Sequence, residues 1–190
     1  MKRAEHITPG LATSTTFEQV AEIDISPDLH TQINQLLSSC FSGYPKNRSY
    51  FKQLPHFRML VKNEAQLIGH VAVDHRLINV GSDVFRIFGL ADVCVDKDFQ
   101  SKNIASHLLN QLDQLAQKSG VDFIVLITNQ HPFYQKNGFS IVDNVCRWVF
   151  INDDHTLGVS QRKLGKSIMI KPFSNKDWGN GILDFLGHIF

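Results

Sequence analysis

The sequence contains no apolar run that approaches the ~18 residues needed to cross a membrane. Its three cysteines, Cys40, Cys94 and Cys146, are far apart and odd in number, which favours free thiols in a reducing compartment over a disulfide framework. The formal net charge is +1, so no broad electrostatic field favours binding to nucleic acid or to an anionic membrane. Residues 1–5 are charged but no apolar core follows them, as a secretory signal would require. We therefore expect a cytoplasmic protein that binds neither nucleic acid nor membrane.

Motifs for a metal site are also missing. No Cys-x-x-Cys or His-Glu-x-x-His occurs. His70 and His75 fall on one predicted strand, but their odd separation directs them to opposite faces. We expect no metal. Because no repeat or break in composition divides the 190 residues, they are predicted to form a single domain, with residues 1–14 as a loose lead-in and residues 173–190 as a tail packed on it.

Hydrophobic periodicity predicts an α+β fold, an α/β sandwich in which helices flank a mixed sheet of about seven strands. Residues 152–165 are polar and are predicted to form a loop. The predicted helices cover residues 27–43, 103–119 and 132–137. The predicted strands cover residues 17–23, 57–61, 67–77, 84–95, 123–127, 141–151 and 167–171.

The segment from Gln100 to Ala105 is the most informative of the chain. It connects an apolar strand ending at Val95 to a helix whose apolar residues recur from Ile104 to Ala116. The first N–H groups of a helix have no internal partner, and the helix dipole there favours negative charge. Gln100 and Lys102 add side-chain donors. The sequence therefore predicts an anion site, with phosphate as its natural occupant.

This segment and a second one, Phe133 to Phe139, resemble two motifs of the GNAT superfamily of N-acetyltransferases. The first motif reads Gln/Arg-x-x-Gly-x-Gly/Ala in the family and the second reads Tyr-x-x-x-Gly-Phe, and the two occur here in the family's order and spacing. The resemblance implies the acyl-CoA N-acyltransferase fold, with a mostly antiparallel sheet, and acetyl-CoA (coenzyme A) as cofactor. Asn103 stands where the family usually has glycine, and asparagine tolerates unusual backbone torsions better than other residues. The implied cofactor-binding residues are Val93, Cys94, Val95, Gln100, Ser101, Lys102, Asn103, Ile104 and Ala105.

Direct transfer of an acetyl group to an amine needs a base, an oxyanion donor and an acid. The resemblance makes Tyr134 the acid that protonates the leaving thiolate; its alternative role is packing. Asp92, the one carboxylate in its strand, is a candidate base because burial raises the pKa of a carboxyl group. Family members commonly carry this carboxylate at the position of Ala91, so Asp92 could equally be a structural acid. His131 could relay a proton through water or simply be exposed. Cys94 lies among apolar residues and is interpreted as an inert thiol.

The tail from Asp177 to Phe190 is similar to the ends of aminoglycoside 2'-N-acetyltransferases and nodulation acyltransferases. These similarities imply a small-molecule primary amine as acceptor and a possible homodimer. Two alternatives remain open: a non-catalytic acyl-CoA-binding module on the same fold, and an acyltransferase that uses a longer acyl chain. An apolar tail that covers a sheet edge is the other interpretation of these residues.

Overall fold

A seven-stranded mixed sheet forms the frame of the protein, whose computed structural model describes residues 15–190. The predicted lead-in, residues 1–14, lies outside the described residues. The strand order is β1-β2-β3-β4-β5-β9-β6, and every pair in it is antiparallel except β4 with β5. This confirms the predicted fold class. The seven strands are β1 (Thr15–Ala21), β2 (Phe57–Asn63), β3 (Gln66–Val80), β4 (Asp83–Val95), β5 (Phe123–Ile127), β6 (Ser140–Val142) and β9 (Ile168–Pro172).

Three further strands make the sheet larger than predicted. The predicted strand 141–151 is divided after Val142, and its second part is β7 (Val145–Asn152). The predicted loop 152–165 is wrong, because β8 (His155–Lys163) pairs with β7 as a hairpin. The tail contributes β10 (Leu183–His188), which lies between β3 and β7, antiparallel to the first and parallel to the second. The tail therefore belongs to the sheet itself.

Three α-helices accompany the sheet: α1 (Pro27–Cys40), α2 (Ile104–Lys118) and α3 (His131–Lys136). Helix α1 begins as predicted, because the Ser26 side chain accepts a hydrogen bond from the backbone N–H of Leu29 and proline occupies the first helical position. Helix α2 ends before Gly120, which has the positive φ of 63° that glycine adopts without steric cost.

The core follows the alternation of the strands. Met59 and Val61 of β2 pack in one cluster with Leu108 and Leu112 of α2, whereas Leu60 between them packs with Leu37 of α1. Helices α1 and α2 therefore cover opposite faces of the sheet. A third cluster, which includes Phe85, Ile87, Trp148 and Phe185, lies between the main sheet and the added strands.

A buried ion cluster around Arg58 connects the first part of the chain to strand β4. The Arg58 side chain is fully buried, and all five of its N–H donors are used. Its Nε and one terminal nitrogen bind the carboxylate of Glu22 at 2.6 and 3.0 Å. The other donors reach the backbone oxygen and hydroxyl of Ser49 and the Nε2 of His70.

We expect Glu22→Gln to lower the free energy of unfolding by about 3–5 kcal/mol, because it leaves the buried guanidinium without its counter-charge. Chemical denaturation would measure the change. The control is Glu18→Gln, whose partner Lys62 lies near the surface, and its cost should stay below about 1 kcal/mol. Similar costs for both variants would contradict a special role for the Arg58 cluster.

Candidate active site

The site begins where strands β4 and β5 part. Their pairing ends at Leu90 and Leu126, although β4 continues to Val95 and stays paired with β3 on its other side. From Ala91 onward, the edge of β4 that faces β5 therefore has no strand partner. Such an edge leaves backbone N–H and C=O groups available to a ligand.

A β-bulge in β4 lies at this open edge. His70 faces Cys94 and Ala72 faces Ala91, so β4 has one extra residue there, and Asp92 has a positive φ of 53°. The bulge interrupts the alternation of side chains, and Ala91, Asp92 and Val93 all line one cavity. Asp92 therefore reaches the cavity, although strict alternation would separate it from the side of Ala91.

His70 and Arg58 support the bulge from behind. A guanidinium can only donate, so the Nε2 of His70, 2.9 Å from Arg58, accepts its hydrogen bond. The Nδ1 of His70 then donates to the backbone oxygen of Asp92 at 2.9 Å. Burial and the charge of Arg58 lower the pKa of His70 to about 3, which keeps this neutral tautomer at all physiological pH values.

The cavity has a volume of about 410 Å³, within the range of small-molecule sites. It brings together Asp92 from β4 and Tyr134 from α3, two of the three predicted catalytic residues. The third, His131, does not line it. The remaining lining comes from β3 and β4, from the segment between α1 and β2, from the end of β5 and the residues after it, and from residues 188–190.

The Asp92 carboxylate accepts a hydrogen bond of 2.7 Å from the Tyr44 hydroxyl. Burial raises the pKa of Asp92 above its ordinary value, while the bond from Tyr44 and the charge of Arg58 act in the opposite direction. A carboxyl group with a raised pKa is a stronger base than one in water, and it lines the cavity in an orientation fixed by Tyr44.

Tyr134 is buried, and its ring packs edge-on against those of Phe133 and Phe139. Burial raises the pKa of Tyr134 to about 12, so the hydroxyl is protonated at neutral pH. Within residues 15–190, the Tyr134 hydroxyl makes no hydrogen bond to another protein group. An unpartnered hydroxyl on the border of a cavity is suited to donate to a ligand.

The predicted anion site has the backbone expected of it. Asn103 has a left-handed conformation with a φ of 60°, and so does Ser101 with 64°. Asparagine thus adopts the torsion for which the family uses glycine. No side chain caps the first turn of α2, and no acidic residue occurs in it. The first N–H groups of α2 are therefore available to an anion.

Two predicted side-chain donors of this loop are used within the protein. Gln100 donates to the backbone oxygen of Val95 at 3.2 Å and so joins the loop to the end of β4. The Lys102 ammonium lies 4.5 Å from the centre of the Phe99 ring. The donors that remain unused in this loop are therefore mainly the backbone N–H groups at the start of α2, with the charge of Lys102 close by.

Cys94 is buried at the back of the site. Its hydrogen bond to Cys40 and its burial raise the pKa of the Cys94 thiol, so it is not the thiolate that a nucleophile requires. Among the residues that the structure describes, no group of three or more His, Cys, Asp and Glu side chains could hold a metal ion. No helix among them is long and apolar enough to cross a membrane.

Sequence reasoning missed three residues that line the cavity: Asp74, His188 and Phe190. It also did not predict the hydrogen bond between Tyr44, which lies outside the lining, and Asp92. Asp74 is buried, and its carboxylate lies 3.3 Å from His56 and 3.6 Å from His188. Burial alone would raise the pKa of Asp74, but His188 and Arg76 outweigh it and lower the pKa. The sequence signal that could have identified Asp74 is a carboxylate within a largely buried strand, β3.

Comparisons with known proteins agree with this geometry. Residues 55–141 match the family model of the acetyltransferase (GNAT) domain. The fold is similar to that of the GNAT family N-acetyltransferase YhbS from Escherichia coli in complex with CoA, with a TM-score of 0.63 and 17% identity over 95% of this chain and 93% of that chain. It is also similar to the ribosomal-protein-S18-alanine N-acetyltransferase from Escherichia coli, with a TM-score of 0.57 and 15% identity over 86% and 96% of the two chains.

A third structure, Eis1 from Mycobacterium abscessus, has a TM-score of 0.57 and 14% identity over 68% of this chain and 32% of that chain, so the likeness spans about a third of Eis1. No curated protein sequence matches significantly. The matched family model and the fold together define an acyltransferase. The match to the acetyltransferase (GNAT) domain model covers residues 55–141, somewhat less than half of the chain.

We expect Asn103→Ala to be less stable than Asn103→Gly by about 1 kcal/mol, because a left-handed conformation is costly for a residue with a β-carbon. Urea denaturation of the two variants would measure the difference. The control is the exposed residue Asn110 inside α2, where the order should reverse because alanine favours a helix over glycine. The same order at both positions would contradict the left-handed conformation of Asn103.

Proposed function

We propose that the protein transfers an acetyl group directly from acetyl-CoA to the primary amine of a small molecule. The observation that carries the proposal is that Asp92 and Tyr134 line the same cavity at the open edge of β4. When bound, acetyl-CoA supplies the acetyl group as an activated thioester. Residues of the chain must supply the base, the donor to the oxyanion and the acid.

Two backbone features can hold the cosubstrate. The uncapped N-terminus of α2 and the loop from Gln100 to Asn103 present N–H groups to a diphosphate. The open edge of β4 at Val93, Cys94 and Val95 can pair with the extended pantetheine arm and donate an N–H group to the oxygen of the acetyl group. The loop and the edge of β4 adjoin each other, because the Gln100 side chain donates a hydrogen bond to the backbone oxygen of Val95.

Asp92 is the proposed base. An amine is largely protonated at neutral pH and becomes a nucleophile only after it loses a proton. The Asp92 carboxylate lines the cavity, attracts an ammonium group by its charge, and has a pKa raised by burial. One of its oxygens is held by Tyr44, which leaves the other for the amine.

Tyr134 is the proposed acid. Its hydroxyl is protonated at neutral pH and has no other hydrogen-bond partner among the described residues. A phenol with a pKa near 12 donates reluctantly to a thiolate whose thiol has a pKa of ~8.5. Tyr134 therefore acts mainly by hydrogen bonding to the leaving sulfur and gives up its proton as negative charge accumulates there. The expected contribution to the rate is accordingly modest.

This pair of residues supports an enzyme over a non-catalytic acyl-CoA-binding module. Binding alone needs the loop and the edge of β4, and it does not need a carboxylate and an unpartnered hydroxyl in the same cavity. Their convergence in one cavity is the feature that a module would lack.

We expect Tyr134→Phe to reduce kcat at least about tenfold, the low end of the range for general acid catalysis, with little change in acetyl-CoA affinity. The assay is thiol release from acetyl-CoA across a panel of primary amines, and calorimetry gives the affinity. Equal kcat values for the variant and the parent protein would remove Tyr134 from the mechanism. Loss of acetyl-CoA binding instead would assign it to packing.

We expect Asp92→Asn to lose most of the activity, and kcat/KM of the parent protein to rise with pH as Asp92 loses its proton. Tyr44→Phe removes a hydrogen bond that lowers the pKa of Asp92, so this rise should move to higher pH. Asp83→Asn, at the far end of the same strand, is the control and should leave the profile unchanged. A profile that is identical in Tyr44→Phe would exclude Asp92 as the base.

A further inference from the structure

The residues at the end of β10 divide two cavities. The second cavity, of about 340 Å³, lies against β7 and is lined largely by apolar side chains, among them Trp148, Phe150 and Leu164. His188, Ile189 and Phe190 line both this cavity and the cavity of Asp92 and Tyr134, which we call the acceptor cavity; Lys52 and Ile127 border both as well. We refer to His188, Ile189 and Phe190 as the partition.

The partition is fixed in place by strand β3. The backbone oxygen of His188 accepts a hydrogen bond of 2.6 Å from Arg76. The His188 ring lies 3.6 Å from the buried carboxylate of Asp74, and the same carboxylate lies 3.8 Å from Arg76. Charge-assisted contacts of this kind hold a segment more firmly than packing alone.

Phe190 is the largest side chain of the partition, and strand β4 has a gap that fits its ring. A β-carbon on Gly89 would overlap the Phe190 ring, so glycine leaves the room that the ring occupies. The Arg76 guanidinium lies 4.9 Å from the ring centre, and the Phe185 ring packs edge-on at 5.4 Å. The ring is therefore held on three sides between the two cavities.

We propose that Phe190 is a specificity-determining residue, which limits the acceptor to compact amines by closing off an apolar subsite, the second cavity. The inference rests on the proposed function, because it concerns the acceptor of that reaction. A hydrophobic pocket discriminates by the room it gives to each methylene group. With a small side chain at position 190, the second cavity would admit the hydrocarbon chain of a longer amine.

The test measures kcat/KM for a series of linear primary amines from ethylamine to octylamine, by thiol release from acetyl-CoA. In the parent protein, we expect the short amines to react and kcat/KM to fall once the chain reaches Phe190. In Phe190→Ala, the ratio of the octylamine value to the ethylamine value should rise at least about tenfold.

Further variants test where the long chain goes. Phe190→Leu should give a smaller rise, and it provides the result if Phe190→Ala fails to fold. Phe150 is 44% exposed and lines only the second cavity, so Phe150→Gln should be tolerated and should reduce the gain of Phe190→Ala by making that cavity polar. Leu157→Ala, on the exposed hairpin strand β8 and outside both cavities, is the control and should leave all values unchanged.

The possible failures are distinguishable. Turnover of amines with an unchanged ratio in Phe190→Ala and Phe190→Leu would overturn the role of Phe190 and leave the proposed function standing. A raised ratio that Phe150→Gln does not reduce would overturn the assignment of the second cavity. No turnover of any amine by the parent protein, despite acetyl-CoA binding, would overturn the proposed function and this inference with it.

Discussion

The buried guanidinium of Arg58 is the interaction on which the site depends. A charge without solvent is tolerable only when all of its donors are satisfied, and the five N–H groups of Arg58 reach Glu22, Ser49 and His70. Through His70 the cluster fixes the backbone oxygen of Asp92, which is the residue at the bulge. The same cluster therefore stabilises the fold and holds the backbone of Asp92 at the cavity.

The bulge lies at the unpartnered edge of β4. It turns Asp92 into the cavity, and it occurs just where β4 separates from β5. Beyond it, the Gln100 side chain joins the loop before the uncapped helix α2 to the end of the strand. Unpartnered backbone groups thus extend from the N-terminus of α2 along the edge of β4 to the cavity that Asp92 and Tyr134 line. Each part follows from the way in which backbone hydrogen bonds are used or left free.

Short stretches of sequence predicted the seven-stranded sheet and its helices. They did not predict the features that depend on contacts between residues far apart in the sequence. The seven strands, the three helices and the left-handed Asn103 follow from periodicity, caps and turn residues. Strand β8 was missed because it is an exposed edge strand, in which Leu157 and Val159 face solvent and no buried alternation occurs. The bulge at Asp92 arises from pairing with β3, and Phe190 reaches Gly89 from the far end of the sequence. No short window of sequence contains such information.

The position of β10 has a consequence for the order in which the chain folds. Interior strands of a sheet usually come early or pair with a sequence neighbour, whereas β10 inserts between β3 and β7 after nearly all other strands have been synthesised. Until it arrives, a nascent chain exposes two sheet edges to unwanted pairing. Closing contacts over so long a separation is also slow. Insertion of β10 into the sheet and completion of the cavity that residues 188–190 line are thus one event, which requires β3 and β7 to be in place.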